Sequence, residues 1–250
     1  MEEICYKTNP IKEAIAKVDF LSPIIQLEKE IPKIIVEKIK ENFPIAENKE
    51  LIARKLQISN TGVKQSDSKL MEWNFYNKER TKRLCITSNN AFITQMQYTT
   101  YQIFHDNFMR MFDSLCETFP ELQIKRFGIR YINQISISSG NPLSWKTYLN
   151  KKLLSIFEVP KDKLFISRAL HNLEFNYGDY NLRFQYGMHN PDYPATIKKK
   201  VFILDLDAYY SGLMNKNDII EYFPKFHKSI QELFENSITE KYRELINKNG

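Results

Sequence analysis

The run Lys125-Arg126-Phe127-Gly128-Ile129-Arg130-Tyr131-Ile132-Asn133-Gln134-Ile135-Ser136-Ile137, at the middle of the chain, constrains the fold more than any other stretch. Phe127, Ile129, Tyr131, Ile135 and Ile137 share one parity, and Arg126, Gly128, Arg130, Gln134 and Ser136 share the other. A period of two belongs to a half-buried strand, with one face in the core and the other wet or against a partner. The flanking sequence divides around this strand into two α+β units, residues 1–120 and 121–250.

In the first unit, Ala14, Ala16, Val18 and Phe20 alternate with Ile15, Lys17 and Asp19 as an opening strand. Pro32 then fits the first turn of a helix whose Ile31, Ile34, Ile35, Ile39 and Phe43 recur at helical spacing up to Pro44. Four alternating runs follow: Leu51 to Ser59, Leu70 to Tyr76, Arg83 to Ser88 and Ala91 to Tyr98. The turn-forming residues between them, Asn60-Thr61-Gly62, Asn77-Lys78-Glu79-Arg80 and Asn89-Asn90, predict an antiparallel meander. A helix bearing Phe104, Phe108, Met111, Phe112, Leu115 and Phe119 on one stripe closes the unit at Pro120.

The order then repeats. Asn141-Pro142-Leu143-Ser144 predicts the cap of a helix carrying Trp145, Tyr148, Leu149 and Leu153, ending by Pro160. Strands are expected from Phe165 to Tyr177, from Tyr180 to Met188 after an Asn176-Tyr177-Gly178-Asp179 turn, and from Val201 to Tyr209. One final helix is expected to hold Phe226, Ile230, Leu233, Phe234, Ile238, Tyr242 and Leu245. Both units carry F-H-x-x-[FI]-x-x-[ML]-F in the last helix, at Phe104 to Phe112 and at Phe226 to Phe234, which favours a duplication.

Strand, helix, antiparallel strands, helix, given twice, resembles the arrangement of the TATA-binding protein fold group. The resemblance implies a saddle of curved antiparallel sheets packed on long helices. Its polar face would carry Arg126, Arg130, Arg183 and Gln185, with Lys17, Arg83, Gln95 and Gln97 from the first unit. The intercalating phenylalanine pairs of that group have no counterpart here, so DNA bending is not implied. Asn9-Pro10-Ile11-x-Glu13, Arg126-x-Gly128-Ile129-Arg130-Tyr131-Ile132-Asn133, Leu204-Asp205-x-Asp207 and Phe234-Glu235-x-x-Ile238-Thr239 together resemble the landmarks of an uncharacterised, sporadically distributed prokaryotic family of about this length. Patchy distribution of that kind is associated with accessory and defence systems.

Charge bears on the partner. The chain carries a formal +6, of which +1 falls in residues 1–120 and +5 in residues 121–250, a balance that permits an acidic partner such as nucleic acid without requiring one. With 42% apolar residues it can bury a core. Met1 to Lys7 lacks the features of a secretory signal, and no apolar run reaches membrane-spanning length. Cys5, Cys85 and Cys116 are odd in number and widely spaced, against a disulfide framework or a zinc site. The expected setting is cytoplasmic and reducing.

Val201-Phe202-Ile203-Leu204-Asp205-Leu206-Asp207-Ala208-Tyr209-Tyr210-Ser211 resembles the D-x-D strands of haloacid-dehalogenase phosphatases and of lesion-bypass polymerases. Both families set that strand near the start of a catalytic domain, whereas here only residues 212–250 follow, nearly all one helix. Asp205 and Asp207 on one strand face could hold a hard cation; the simpler expectation is that they pair with Arg126, Arg130 or Arg183. His105 and His227 flank apolar helix stripes and His171 shares the apolar parity of its strand, so structural roles are expected for all three. No nucleophile elbow, Walker loop or dinucleotide fingerprint is present among seven glycines.

These readings favour a non-enzymatic binding protein without a cofactor, nucleic acid being the first candidate ligand. Its contacts would be Arg126, Arg130 and Arg183 on the sheet, with Lys82 and Arg83 near Trp73, Phe75 and Tyr76, and Lys198, Lys199 and Lys200 near Tyr193. The alternative is a protein-interaction subunit or antitoxin-like partner, and the third reading a metal-dependent phosphodiesterase using Asp205 and Asp207.

Overall fold

The computed structural model describes residues 4–59, 62–162 and 165–248. It is an α+β protein built on one nine-stranded antiparallel sheet of order β2-β3-β4-β5-β1-β6-β9-β8-β7. The strands are β1 (Ile11–Phe20), β2 (Ile45–Ser59), β3 (Gly62–Tyr76), β4 (Lys82–Ile86), β5 (Asn90–Gln95), β6 (Ile124–Ser136), β7 (Ala169–Asn176), β8 (Asn181–Met188) and β9 (Val201–Met214). The helices are α1 (Lys33–Ile39), α2 (Tyr101–Thr118), α3 (Lys216–Ser237) and α4 (Glu240–Lys248).

Alternation decides the strands. Ala14, Ala16, Val18 and Phe20 of β1 are buried, as are Phe127, Ile129, Tyr131 and Ile135 of β6, which lies beside it. The second neighbour of β1 is β5, so the sheet runs unbroken through strands from both halves of the sequence. The meander β2 to β5 forms as expected, with β2 and β3 longer than the alternating runs; Asn60 and Thr61 of their turn lie outside the described residues.

Helix ends follow capping chemistry. The Thr100 side chain accepts the Ile103 amide at the start of α2, and Asn215 and Asp218 form a reciprocal capping box on α3. These two helices bring aromatic rings onto β6: Phe127 meets Phe108 of α2, and Phe223 and Phe226 of α3, at centroid distances of 5.4–5.6 Å across the cluster. Tilted and stacked ring packing of this kind adds to simple area burial.

Three segments depart from the sequence expectation. The helix expected after Asn141 is replaced by turns and a 3₁₀ segment, Lys151–Glu158, although Trp145 and Leu149 are buried as expected. The cause is a distant bridge: Leu149 pairs with Ile238, the Asn150 amide donates to the Ser237 carbonyl at 2.9 Å, and the Thr239 amide donates to Tyr148 at 3.0 Å. The same bridge divides the expected last helix, because Ile238 is extended and α4 restarts under Thr239, whose hydroxyl donates to the Thr147 carbonyl at 2.7 Å. The strand expected from Phe165 begins only at Ala169. Before it, the Ile166 carbonyl is taken by the Ile197 amide and that of Ser167 by the Asn190 side chain; Lys163 and Leu164 lie outside the described residues.

Candidate binding face

On the sheet face opposite the aromatic core, β6, β9, β8 and β7 assemble a lattice of opposite charges. Strand register sets it: Asp207 lies between Arg130 on β6 and Arg183 on β8, and Glu174 of β7 lies opposite Arg183. Arg130 leans past its direct neighbour and binds Asp205 with both arms of its fork, Nε to Oδ1 at 2.7 Å and a terminal nitrogen to Oδ2 at 2.5 Å. Such bidentate, charge-assisted bonds are the strong ones. Asp205 is buried beneath the guanidinium, while the Arg130 side chain stays 40% exposed. The hydrogen bond to Asp205 raises the Arg130 pKa above its usual value.

Asp207 is less well served. Arg126 approaches its Oδ2 to 3.5 Å and Arg183 to 4.0 Å, outside strong hydrogen-bond range. Burial therefore outweighs Arg126, Arg183 and Arg130, and raises the Asp207 carboxyl above the usual range. Arg183 completes the lattice with Glu174 at 3.3 Å.

Tyr209 binds the lattice together. Its hydroxyl donates to Glu174, which holds that carboxylate below its ordinary pKa and raises the Tyr209 phenol above its own. Its ring carries the Arg126 guanidinium at 4.6 Å and the Arg183 guanidinium at 5.8 Å. Gly128 makes room for this arrangement, since it lies opposite Tyr209, where a β-carbon would meet the Tyr209 Cβ at 3.0 Å and the Ala208 carbonyl at 3.2 Å. Sequence reasoning passed over Tyr209 and Glu174, although Tyr209 shares the parity of Asp205 and Asp207.

The remaining candidates are dispersed. Arg83 holds Asn74 at 2.8 Å and Glu72 at 3.2 Å on β3, three strands from β6. Lys82, opposite Gln95, has the reverse parity. Trp73 is half-buried with its indole N–H donated to the Leu27 carbonyl at 2.8 Å, and Phe75 is buried, which closes that ring to a base. Lys198 and Lys199 are exposed on the loop before β9, but the Lys200 ammonium lies over the rings of Trp145 and Tyr148. Tyr193 instead carries Arg168 at 4.5 Å. Gln95 belongs to the core face with Ala91 and Ile93, against the expectation that it joins the polar face, and Gln97 lies beyond the end of β5. Lys17 is on the polar face and pairs with Asp19 at 2.9 Å.

Three of the four histidines take packing positions. His227 bonds the Tyr131 hydroxyl at 2.9 Å and stacks on Tyr101 at 4.2 Å, His105 bonds Asp106 at 3.0 Å, and His171 stacks on Tyr186. Among the described residues no three His, Cys, Asp or Glu side chains converge as a metal site, and no helix is long and apolar enough to cross a membrane. No protein-family model matches the chain, and no curated protein matches it.

Proposed function

We infer that the protein is a non-enzymatic binding protein whose recognition surface is the polar sheet face, with nucleic acid as the ligand class it fits first. The observation that carries this reading is the Arg126–Tyr209–Arg183 stack: two guanidinium planes, 28% and 39% exposed, on a partly exposed ring, with Arg130 beside them. Flat cationic planes on a sheet suit splayed bases and phosphates. Three carboxylates, Asp205, Asp207 and Glu174, balance the three arginines. Binding of this kind therefore draws on stacking as much as on net charge, and favours single strands over duplex.

The sheet order supports reading the chain as a duplicated unit, 1–120 and 121–250, curved as a saddle. Outward from the central β1–β6 pair, the run β5-β4-β3 on one side answers β9-β8-β7 on the other. The two F-H motifs meet at one place, with Tyr101 at 5.6 Å from the His105 ring and 4.2 Å from that of His227. Membership of the sporadic prokaryotic family and a role in an accessory or defence system belong to the same reading. A phosphodiesterase using Asp205 and Asp207 ranks below it, since a cation at Asp205 would have to displace the Arg130 fork.

The test is binding of short single- and double-stranded DNA and RNA at low and moderate salt, wild type beside Arg126→Ala/Arg130→Ala and Tyr209→Leu. Micromolar binding that weakens with salt and in both variants is the expected outcome. No binding to any of them at low salt overturns the reading.

A further inference from the structure

The two margins of the sheet differ in chemistry. On β2, the Glu47, Lys49 and Glu50 positions are exposed, and Glu47 is paired with Arg80. Charges of this kind are what keep an open strand from pairing with another chain. The opposite margin, β7, has no lysine, proline or bulge along Ala169 to Asn176. Its one acidic residue, Glu174, is already engaged by Arg183 and Tyr209.

The backbone of β7 is open. Tyr177 donates its amide to the Tyr180 carbonyl, so the ladder to β8 uses odd-numbered residues, and Leu170, Asn172, Glu174 and Asn176 direct their N–H and C=O groups away from it. No other strand among the described residues lies beside β7. In the first half, β2 occupies the place beside β3, the counterpart of β7 in the sheet order; in the second half no strand among the described residues takes that place. Along β7, Leu170 is 56% exposed and Leu173 44%. An apolar margin with unpaired backbone groups is a site for strand addition.

We propose that β7 pairs antiparallel with β7 of a second copy of this chain, joining two sheets into one across a two-fold axis at Leu173. The register follows from the strand itself. With Leu173 on the axis, Asn172 meets the second copy's Glu174 and Leu170 meets its Asn176, and all four residues present outward backbone groups. Leu173 then faces its own copy, a non-hydrogen-bonded pair in which side chains approach most closely, and His171 faces Phe175. Glu174 is neutralised within its own chain, so the two copies approach without like-charge repulsion at the seam. A partner of different sequence is not needed to match this edge, because the strand is complementary to itself.

The experiment is sedimentation equilibrium of the full chain from about 1 to 100 µM, a range that spans the weak to moderate affinities of small interfaces. Wild type is expected to dimerise, and Leu173→Lys and Asn172→Pro to raise the dissociation constant at least tenfold. Asn172→Pro removes an outward amide that the β8 ladder does not use. In a Cys5→Ser background, Leu173→Cys is expected to oxidise to a covalent dimer, since cross-strand pairs at this position meet disulfide spacing, whereas Leu21→Cys on another exposed surface is not. A wild type that stays monomeric to the highest concentration, or a dimer that Leu173→Lys leaves unchanged and Leu173→Cys does not cross-link, overturns the proposal.

Discussion

Arg130 covers Asp205 as a lid covers a well: the guanidinium remains in contact with solvent while the carboxylate it binds by two hydrogen bonds is buried. The two partners are therefore not equivalent. Arg130→Ala strands a buried carboxylate and is expected to destabilise the protein by about 2–4 kcal/mol, toward the low end because the arginine is half-exposed. Replacing both, Arg130→Met with Asp205→Leu, is expected to cost less than Arg130→Ala alone. Urea denaturation of the singles and the double reads the coupling, and additive losses would count against it.

Asp207 gives a pH signature opposite to that of most paired carboxylates. Its folded pKa is raised by burial, so the folded state binds the proton more tightly than the unfolded chain and stability falls as pH rises through the window between the two values. Relative to Asp207→Asn, wild type is expected to gain stability as pH is lowered through the raised pKa toward about 4, the ordinary value for an aspartate. Thermal melts of both proteins across that range measure it; a wild-type stability relative to Asp207→Asn that stays flat, or falls toward acid, contradicts the assignment.

Gly187 holds the β7–β8 pairing. Its φ of +145° is a conformation that residues with side chains rarely adopt, and a β-carbon there would be driven into the Ala169 carbonyl. Gly187→Ala is expected to cost about 2–4 kcal/mol. Hydrogen exchange should show the loss first in β7 and β8, with β1 and β6 still protected; uniform loss across the sheet would argue otherwise.

The thiols should separate by environment. Burial pushes Cys85 up to about 12 and Cys116 to about 11, while Cys5 is exposed. A chromogenic disulfide at pH 8 is expected to label Cys5 rapidly, with Cys85 and Cys116 reacting on the time scale of unfolding, since the thiolate is the reactive form. Cys5→Ser should abolish the fast phase. Three thiols reacting together would be inconsistent with the described core.

The strands and most site positions could be read from the chain because alternation is local: the parity of Arg126 and Arg130, of Arg183, and of Asp205 and Asp207 each placed them on one face. Which arginine meets which carboxylate was not readable, since it depends on cross-strand register. Arg130 passes Asp207, its direct opposite, to reach Asp205. Tyr209 and Glu174 escaped notice for the same reason, their contact spanning two strand pairings. The turn region after Asn141 and the break at Ile238 each look helical alone, and only their mutual bridge decides otherwise. Gln95 misled because amides usually avoid the core, and this one is fully buried with neither polar atom bonded among the described residues.

The position of β1 has a consequence for the order of folding. Ala14, near the start of the chain, lies opposite Gln95 on one side and Tyr131 on the other. The two ladders at the middle of the sheet are thus among those that close long stretches of chain, and such pairings are slow because loop entropy must be lost before contacts form. During synthesis β1 emerges before both of its neighbours, β5 and β6, and waits for them with its apolar side unpaired. The seam that makes the nine strands one sheet is therefore also a step at which a growing chain is open to capture by a chaperone or by another nascent copy.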